Sequence, residues 1–148
     1  MNLFEQITAD IKKAMLNKDK AMLEALRAVK SALLIEKTKG ASSELTKEEE
    51  IKILQRLVKQ RRESAEIYKN QNRKELYDAE VYQADAIQLY LPKQLSDEEL
   101  TKEIAEIIAS VGASSMKDMG KVMGIAGKKL AGRAEGKIIA DKVKVLLS

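Results

Sequence analysis

Residues 119–137 read MGKVMGIAGKKLAGRAEGK and hold five of the chain's seven glycines, with four lysines and an arginine among them. Glycine beside lysine suits a loop that wraps a phosphate, and it equally suits a helix with a smooth cationic side. The loop reading fails on spacing. A Walker-type phosphate loop needs glycine, four residues, then Gly-Lys-Ser/Thr. Here Val122 stands five before Gly127, and Lys128 is followed by Lys129. The dinucleotide fingerprint needs two glycines two apart after a strand, and no pair in this stretch has that spacing. The helical reading fits, because Gly120, Gly124 and Gly127 are four and three residues apart and share a face. Each glycine inside a helix costs about 1 kcal/mol relative to alanine, so three on one side predict that something passes close to the backbone. That is either a neighbouring helix in a tight crossing or the backbone of a bound partner. In the second case Lys121, Lys128, Lys129, Arg133 and Lys137 would neutralise phosphates around the strip.

A second group of charges lies in VKQRRESAEIYKNQNRKEL, residues 58–76. Arg61 and Arg62, with Tyr68, make a secondary candidate site, since paired guanidiniums grip phosphate or carboxylate in two-pronged fashion. The plainer alternative is a helix surface with local ion pairs, such as Arg62 with Glu66 at i,i+4. Arg61 interrupts an apolar stripe between Val58 and Ala65, which predicts a defined partner, Glu80 or Asp85 on the next helix. The carboxylates Glu75, Asp78, Glu80 and Asp85 sit on one solvated helix, where neither acid–base work nor metal binding is expected. The chain has no histidine and no cysteine, which removes the commonest general base, the commonest zinc ligand and any thiolate nucleophile. Any chemistry would have to run on carboxylates, Lys, Tyr or Ser. We expect no catalytic residue, no cofactor and no metal.

The elements that must carry these residues are helical. Hydrophobic residues make up 45% of the chain and aromatics only 3%, with a single proline, so the core is aliphatic and the fold class is all-α. Apolar residues recur at spacings of three and four in residues 2–16 (Leu3, Ile7, Ile11, Ala14/Met15) and in residues 20–38 (Met22, Leu26, Val29, Leu33). Asp19 suits the N-cap of the second helix and Gly40 its end, and GASSEL reads as a loop. Thr46 with Glu49 is a capping box opening a helix through Ile51, Leu54, Val58, Ala65 and Tyr68. A fourth helix from about Arg73 runs through Leu76, Ala86, Leu89 and Tyr90 and stops before Pro92. Ser96 with Glu99 opens a fifth, through Leu100, Ile104, Ile107 and Ile108 to Gly112. Ser115 with Asp118 opens a sixth, through Met119, Met123, Ala126 and Leu130 to Gly132. The last starts near Gly136 and carries Ile139, Val143, Leu146 and Leu147.

This makes about seven helices and no strand. The joint YLPKQLSDEEL divides an N-terminal helical array (1–91) from a small C-terminal three-helix unit (95–148). Residues 112–148 carry eight Lys/Arg against three Asp/Glu, a net +5, so the first 111 residues hold −1 of the total +4. That asymmetry points to an anionic partner for the tail. No apolar run approaches the roughly 20 residues that span a bilayer, and the N-terminus has no basic-then-apolar leader. The expected protein is soluble and cytoplasmic, without a membrane partner.

The segments RRESAEIYKNQNRKEL, YLPKQLSDEEL and MGKVMGIAGKKLAGRAEGK together resemble the YqeY-like family. The resemblance runs along essentially the whole chain, through Arg62-Glu63-Ser64, Tyr68, Tyr90 to Ser96, Met119 to Gly124, and Gly132 to Lys137. Glu135 departs from it, standing where aspartate is more usual. The family is similar to the C-terminal tail domain found in the glutamine-dependent aspartyl/glutamyl-tRNA amidotransferase, and to domains appended to some glutaminyl-tRNA synthetases. The resemblance implies a helical appendix that helps hold tRNA, with a synthetase or amidotransferase as a further partner. Carbon–nitrogen ligation with glutamine as amide donor belongs, on this resemblance, to a separate catalytic body. The expected role is a stand-alone tRNA-binding accessory, with a protein-interaction module as the alternative.

Overall fold

The computed structural model describes residues 1–40 and 44–148, so the middle of the expected GASSEL loop lies outside the described residues. Among the described residues the chain forms seven α-helices and one 3-10 turn, with no strand. Two compact units result, Met1–Leu91 and Pro92–Ser148.

The first unit contains α1 (Leu3–Leu16), α2 (Lys20–Lys39), α3 (Lys47–Asn70) and α4 (Lys74–Gln88). Local chemistry sets their starts. The Asn2 side chain accepts from the Glu5 N–H at 2.8 Å, and Asp19 accepts from the Met22 N–H at 3.1 Å. At α3 the Thr46 hydroxyl accepts from the Glu49 N–H while the Glu49 carboxylate accepts from the Thr46 N–H, at 3.1 and 3.0 Å. Both bonds satisfy donors that a helix start leaves without partners. The α1–α2 and α3–α4 turns pass through Lys18 and Asn72, which take left-handed backbone angles of φ 54° and 57°. Ile7, Leu26, Val29, Leu33, Leu54 and Ile87 form the heart of the apolar core, with smaller Ala25, Ala32, Ala84 and Ala86 between them. The sole phenylalanine, Phe4, has the ammonium groups of Lys30 and Lys37 at 5.5 and 5.4 Å from its ring centre, and so ties α1 to α2.

Two expectations change here. Leu76 and Leu89 do not line a buried face of α4, since both are exposed and Leu89 is 79% so. The buried residues are Gln83, Ala84, Ala86 and Ile87. Counting large side chains misplaced this stripe, because alanines carry most of it. The partner of Arg61 is neither Glu80 nor Asp85. Its Nε donates to the Gln83 side-chain oxygen at 3.1 Å and its Nη1 to the Leu57 carbonyl at 3.3 Å. Gln83 is buried, and a neutral amide meets the guanidinium there without the desolvation cost of a buried carboxylate. Asp85 pairs instead with Arg62, at 2.9 Å, in place of the expected Arg62–Glu66 pair. Both contacts join α3 to α4 as an antiparallel hairpin. The Tyr68 carbonyl accepts from the Arg73 N–H at 2.9 Å and closes α3. Both guanidiniums of the secondary candidate site thus already have partners within the chain.

Two tyrosines, Tyr82 in α4 and Tyr90 just beyond it, tie this end of the unit to its start. Tyr82 donates to the Asp19 carboxylate at 2.7 Å, and Tyr90 donates to that of Asp10. Burial, reinforced by the Asp10 carboxylate, holds the Tyr90 phenol well above its usual range.

The second unit contains α5 (Asp97–Val111), the 3-10 turn Met116–Asp118, α6 (Met119–Lys129) and α7 (Gly136–Leu147). A reciprocal capping box of Ser96 and Glu99 opens α5, and Gly112 closes it at φ 67°, where a side chain would be strained. Leu100, Ile104 and Ile107 from α5, Val122, Ala126 and Leu130 from α6 and the turn after it, and Ile139, Val143 and Leu147 from α7 build the second core. No helix among the described residues is long and apolar enough to cross a membrane.

Candidate nucleic-acid interface

Helix α6 is positioned by its apolar side. Val122, Ala126 and Leu130 are fully buried, and Met119 and Met123 pack partly against the same core. At 3.6 residues per turn, Gly120, Lys121, Gly124, Ile125 and Lys128 then fall on the opposite side, and all five are exposed. Gly127 and Lys129 occupy the two flanks. The outward side forms an open depression of about 650 Å³ lined by Gly120, Lys121, Gly124, Ile125, Lys128 and Lys129.

This arrangement overturns the tight helix crossing as a reason for the glycines. A Cβ added at Gly120, Gly124 or Gly127 would meet no atom within 4 Å. The crossings of α6 with α5 and α7 use the other side of the helix, where Val122 and Ala126 sit. The glycines therefore weaken α6 without improving any packing among the described residues. Gly124→Ala, in mid-helix, is expected to raise stability by about 0.5–1 kcal/mol, read as a higher urea or thermal midpoint. A fall in stability would show that the backbone there needs glycine.

The lysines do not act as one group. Lys121 and Lys128 line the depression and form no ion pair among the described residues. Lys129, at the rim, lies 3.6 Å from the Glu103 carboxylate of α5. Arg133 is half-buried in the turn after α6, and neither it nor the exposed Lys137 at the start of α7 lines the depression. That turn is held by the joint segment: the Leu95 N–H donates to the Arg133 carbonyl at 2.8 Å and the Gln94 amide to the Gly132 carbonyl at 2.6 Å. Gly132 takes φ 78° there, which favours glycine. The segments PKQLS and GRAEGK are thus two halves of one clasp. Glu135 takes the N-cap position of α7 without any capping hydrogen bond from its side chain.

Helix α5 supplies counter-charge. It carries five carboxylates and one lysine, so the unit Pro92–Ser148 holds ten bases and eight acids, net +2, far less than the +5 of residues 112–148 alone. Glu99 accepts from the Ser96 N–H at 3.0 Å, and that bond, with the Ser96 hydroxyl and then Lys93 and Arg133 nearby, holds its carboxyl below the usual range. Asp97 pairs with Lys142 of α7 at 2.7 Å. Glu99 and Glu103 are one turn apart on α5; Glu99 is engaged in the cap with Ser96, and Glu103 pairs with Lys129. Sequence reasoning missed Glu103 and Ile125. Ile125 was legible once the face of α6 was known. Glu103 carries no sequence signal, because its pairing depends on how α5 and α6 cross. No group of three or more potential metal-ligating side chains occurs among the described residues.

The molecule is an all-α protein of two helical units, the second of which turns a glycine-bearing, lysine-flanked helix face to solvent. The chain belongs to the Yqey-like protein family, whose model matches residues 4–147 and so runs through both units. A comparison with curated proteins finds no match.

Proposed function

We propose that the chain is a tRNA-binding accessory protein related to the tail domain of the tRNA amidotransferase, with no self-contained catalysis, and that the outward side of α6 meets the RNA backbone. The observation that carries the reading is the open depression in which Lys121 and Lys128, without ion-pair partners among the described residues, flank a strip lacking side chains at Gly120 and Gly124. The two lysines are about 10 Å apart along the helix axis, so they can neutralise separate phosphates. Residues 92–148 contain no Phe, Tyr or Trp, so no aromatic ring of this unit stacks on bases, and the reading is of contact with backbone and shape. Total tRNA titrated onto the full chain over a salt series tests the reading. Two phosphate contacts give a log–log slope of about −1.4 to −1.8. Absence of binding at about 50 mM salt, or binding indifferent to salt, ends it.

Ile125 favours a second reading. It is 38% exposed in the middle of the depression, which suits a protein-interaction module docking a helix of a synthetase or amidotransferase. Ile125→Ser should weaken such docking and leave the salt slope for tRNA unchanged.

A further inference from the structure

Resting on the tRNA reading, we propose that Glu103 of α5 is an internal counter-anion that withholds Lys129 from the bound polyanion and so sets the affinity of the α6 surface below what its lysines allow. Three observations support this. The Lys129 ammonium lies 3.6 Å from the Glu103 carboxylate, and this is an ion pair between two helices rather than within one. Lys129 also lines the depression that holds Lys121 and Lys128, so the cation that Glu103 neutralises belongs to the surface itself. Finally, Glu103 is the less exposed partner, with 27% of its side chain accessible against 52% for Lys129. The carboxylate side chain is partly buried while the lysine end stays open to solvent and can be shared. A phosphate arriving at Lys129 must compete with a carboxylate already in place, and the counterion release from that contact is lost or reduced.

The consequence is a defined change in salt dependence. Each phosphate contact contributes about 0.7–0.9 to the log–log slope. Replacing Glu103 by the isosteric neutral glutamine frees Lys129 and adds one contact. Extrapolated from about 1 M salt, one contact of slope ~0.8 corresponds to about 10-fold tighter binding at ~50 mM and about 4-fold at ~200 mM. A general gain in net charge would act equally through any α5 carboxylate, so Glu106→Gln serves as the control. Glu106 is exposed on the same helix and forms no ion pair among the described residues.

The experiment measures total tRNA binding to wild type, Glu103→Gln, Glu106→Gln and the double variant Glu103→Gln/Lys129→Gln between about 50 and 200 mM salt, with a thermal melt of each to verify folding. The expected result is a slope steeper by about 0.8 in Glu103→Gln alone, unchanged in Glu106→Gln, and returned to the wild-type value in the double variant. Should Glu103→Gln lose its fold, Glu103→Ala replaces it with the same expectation. Wild-type binding with equal slopes in Glu103→Gln and Glu106→Gln overturns the proposal and leaves the tRNA reading standing. No binding by any variant overturns the tRNA reading and this proposal together.

Discussion

Reversing Lys121 and Lys128 together to glutamate is expected to weaken tRNA binding at least about 100-fold at ~50 mM salt and to flatten the log–log salt slope by about 1.6. These lysines stand in the α6 depression without a carboxylate partner among the described residues. Removing two contacts of slope ~0.8 each, extrapolated from about 1 M to 50 mM, gives the ~100-fold factor, and the added negative charges enlarge it. Both side chains are exposed and distant from the buried side of α6, so the unfolding midpoint should shift little. A double reversal that binds tRNA as wild type does would remove α6 from the interface. If Ile125→Ser abolishes capture by a synthetase or amidotransferase while this reversal does not, the docking reading takes its place.

The second large effect is on stability. Ile104 has no accessible surface and lies within the core shared by α5, α6 and α7. Ile104→Ala strips most of the side chain from a packed site and leaves a cavity, which costs about 2–5 kcal/mol. The whole unit Pro92–Ser148 is small, and at about 0.05–0.15 kcal/mol per residue its entire stability is on the order of 3–9 kcal/mol. The substitution should therefore bring α5, α6 and α7 close to unfolding at ambient temperature, seen as lost helical circular dichroism and lost tRNA binding together. A loss below about 1 kcal/mol in urea titration would mean that the core tolerates the cavity. It would also contradict the packing described for Leu100, Val122 and Val143 in the same core.

Gly124→Ala and Glu103→Gln complement these two, because each is expected to gain something. The first should strengthen α6, where no atom of the described chain approaches the missing side chain. The second should strengthen binding by releasing Lys129. If Gly124→Ala stabilises the protein and weakens tRNA binding in the same sample, the glycine strip is retained for what lies outside the chain.

Features that depend on near neighbours could be read from the order of residues. A capping box closes within three residues, so the Thr46–Glu49, Ser96–Glu99 and Ser115–Asp118 pairs were legible; the first two open α3 and α5 where expected, whereas the third opens only the 3-10 turn, and α6 starts after it at Met119 with no side-chain cap. The left-handed ends at Gly112 and Gly132 follow from the freedom of glycine. The apolar stripes of α5 and α7 were equally plain, because large aliphatics recur there at helical spacing. The stripe of α4 was misread, because alanines and Gln83 carry the burial and neither has a strong apolar signature. Which cations are free depends on contacts between helices far apart in the chain. Arg61 met Gln83 rather than an acid, and Arg62 took Asp85. Lys129 was drawn to Glu103, while Lys121 and Lys128 stayed open to solvent. The same contacts decided that the glycines of α6 face outward, since a helical periodicity says which residues share a side and not what that side meets. Spacing along a helix is set by 3.6 residues per turn, but partners across helices are set by how whole elements cross, and that depends on burying the apolar side of each helix at once.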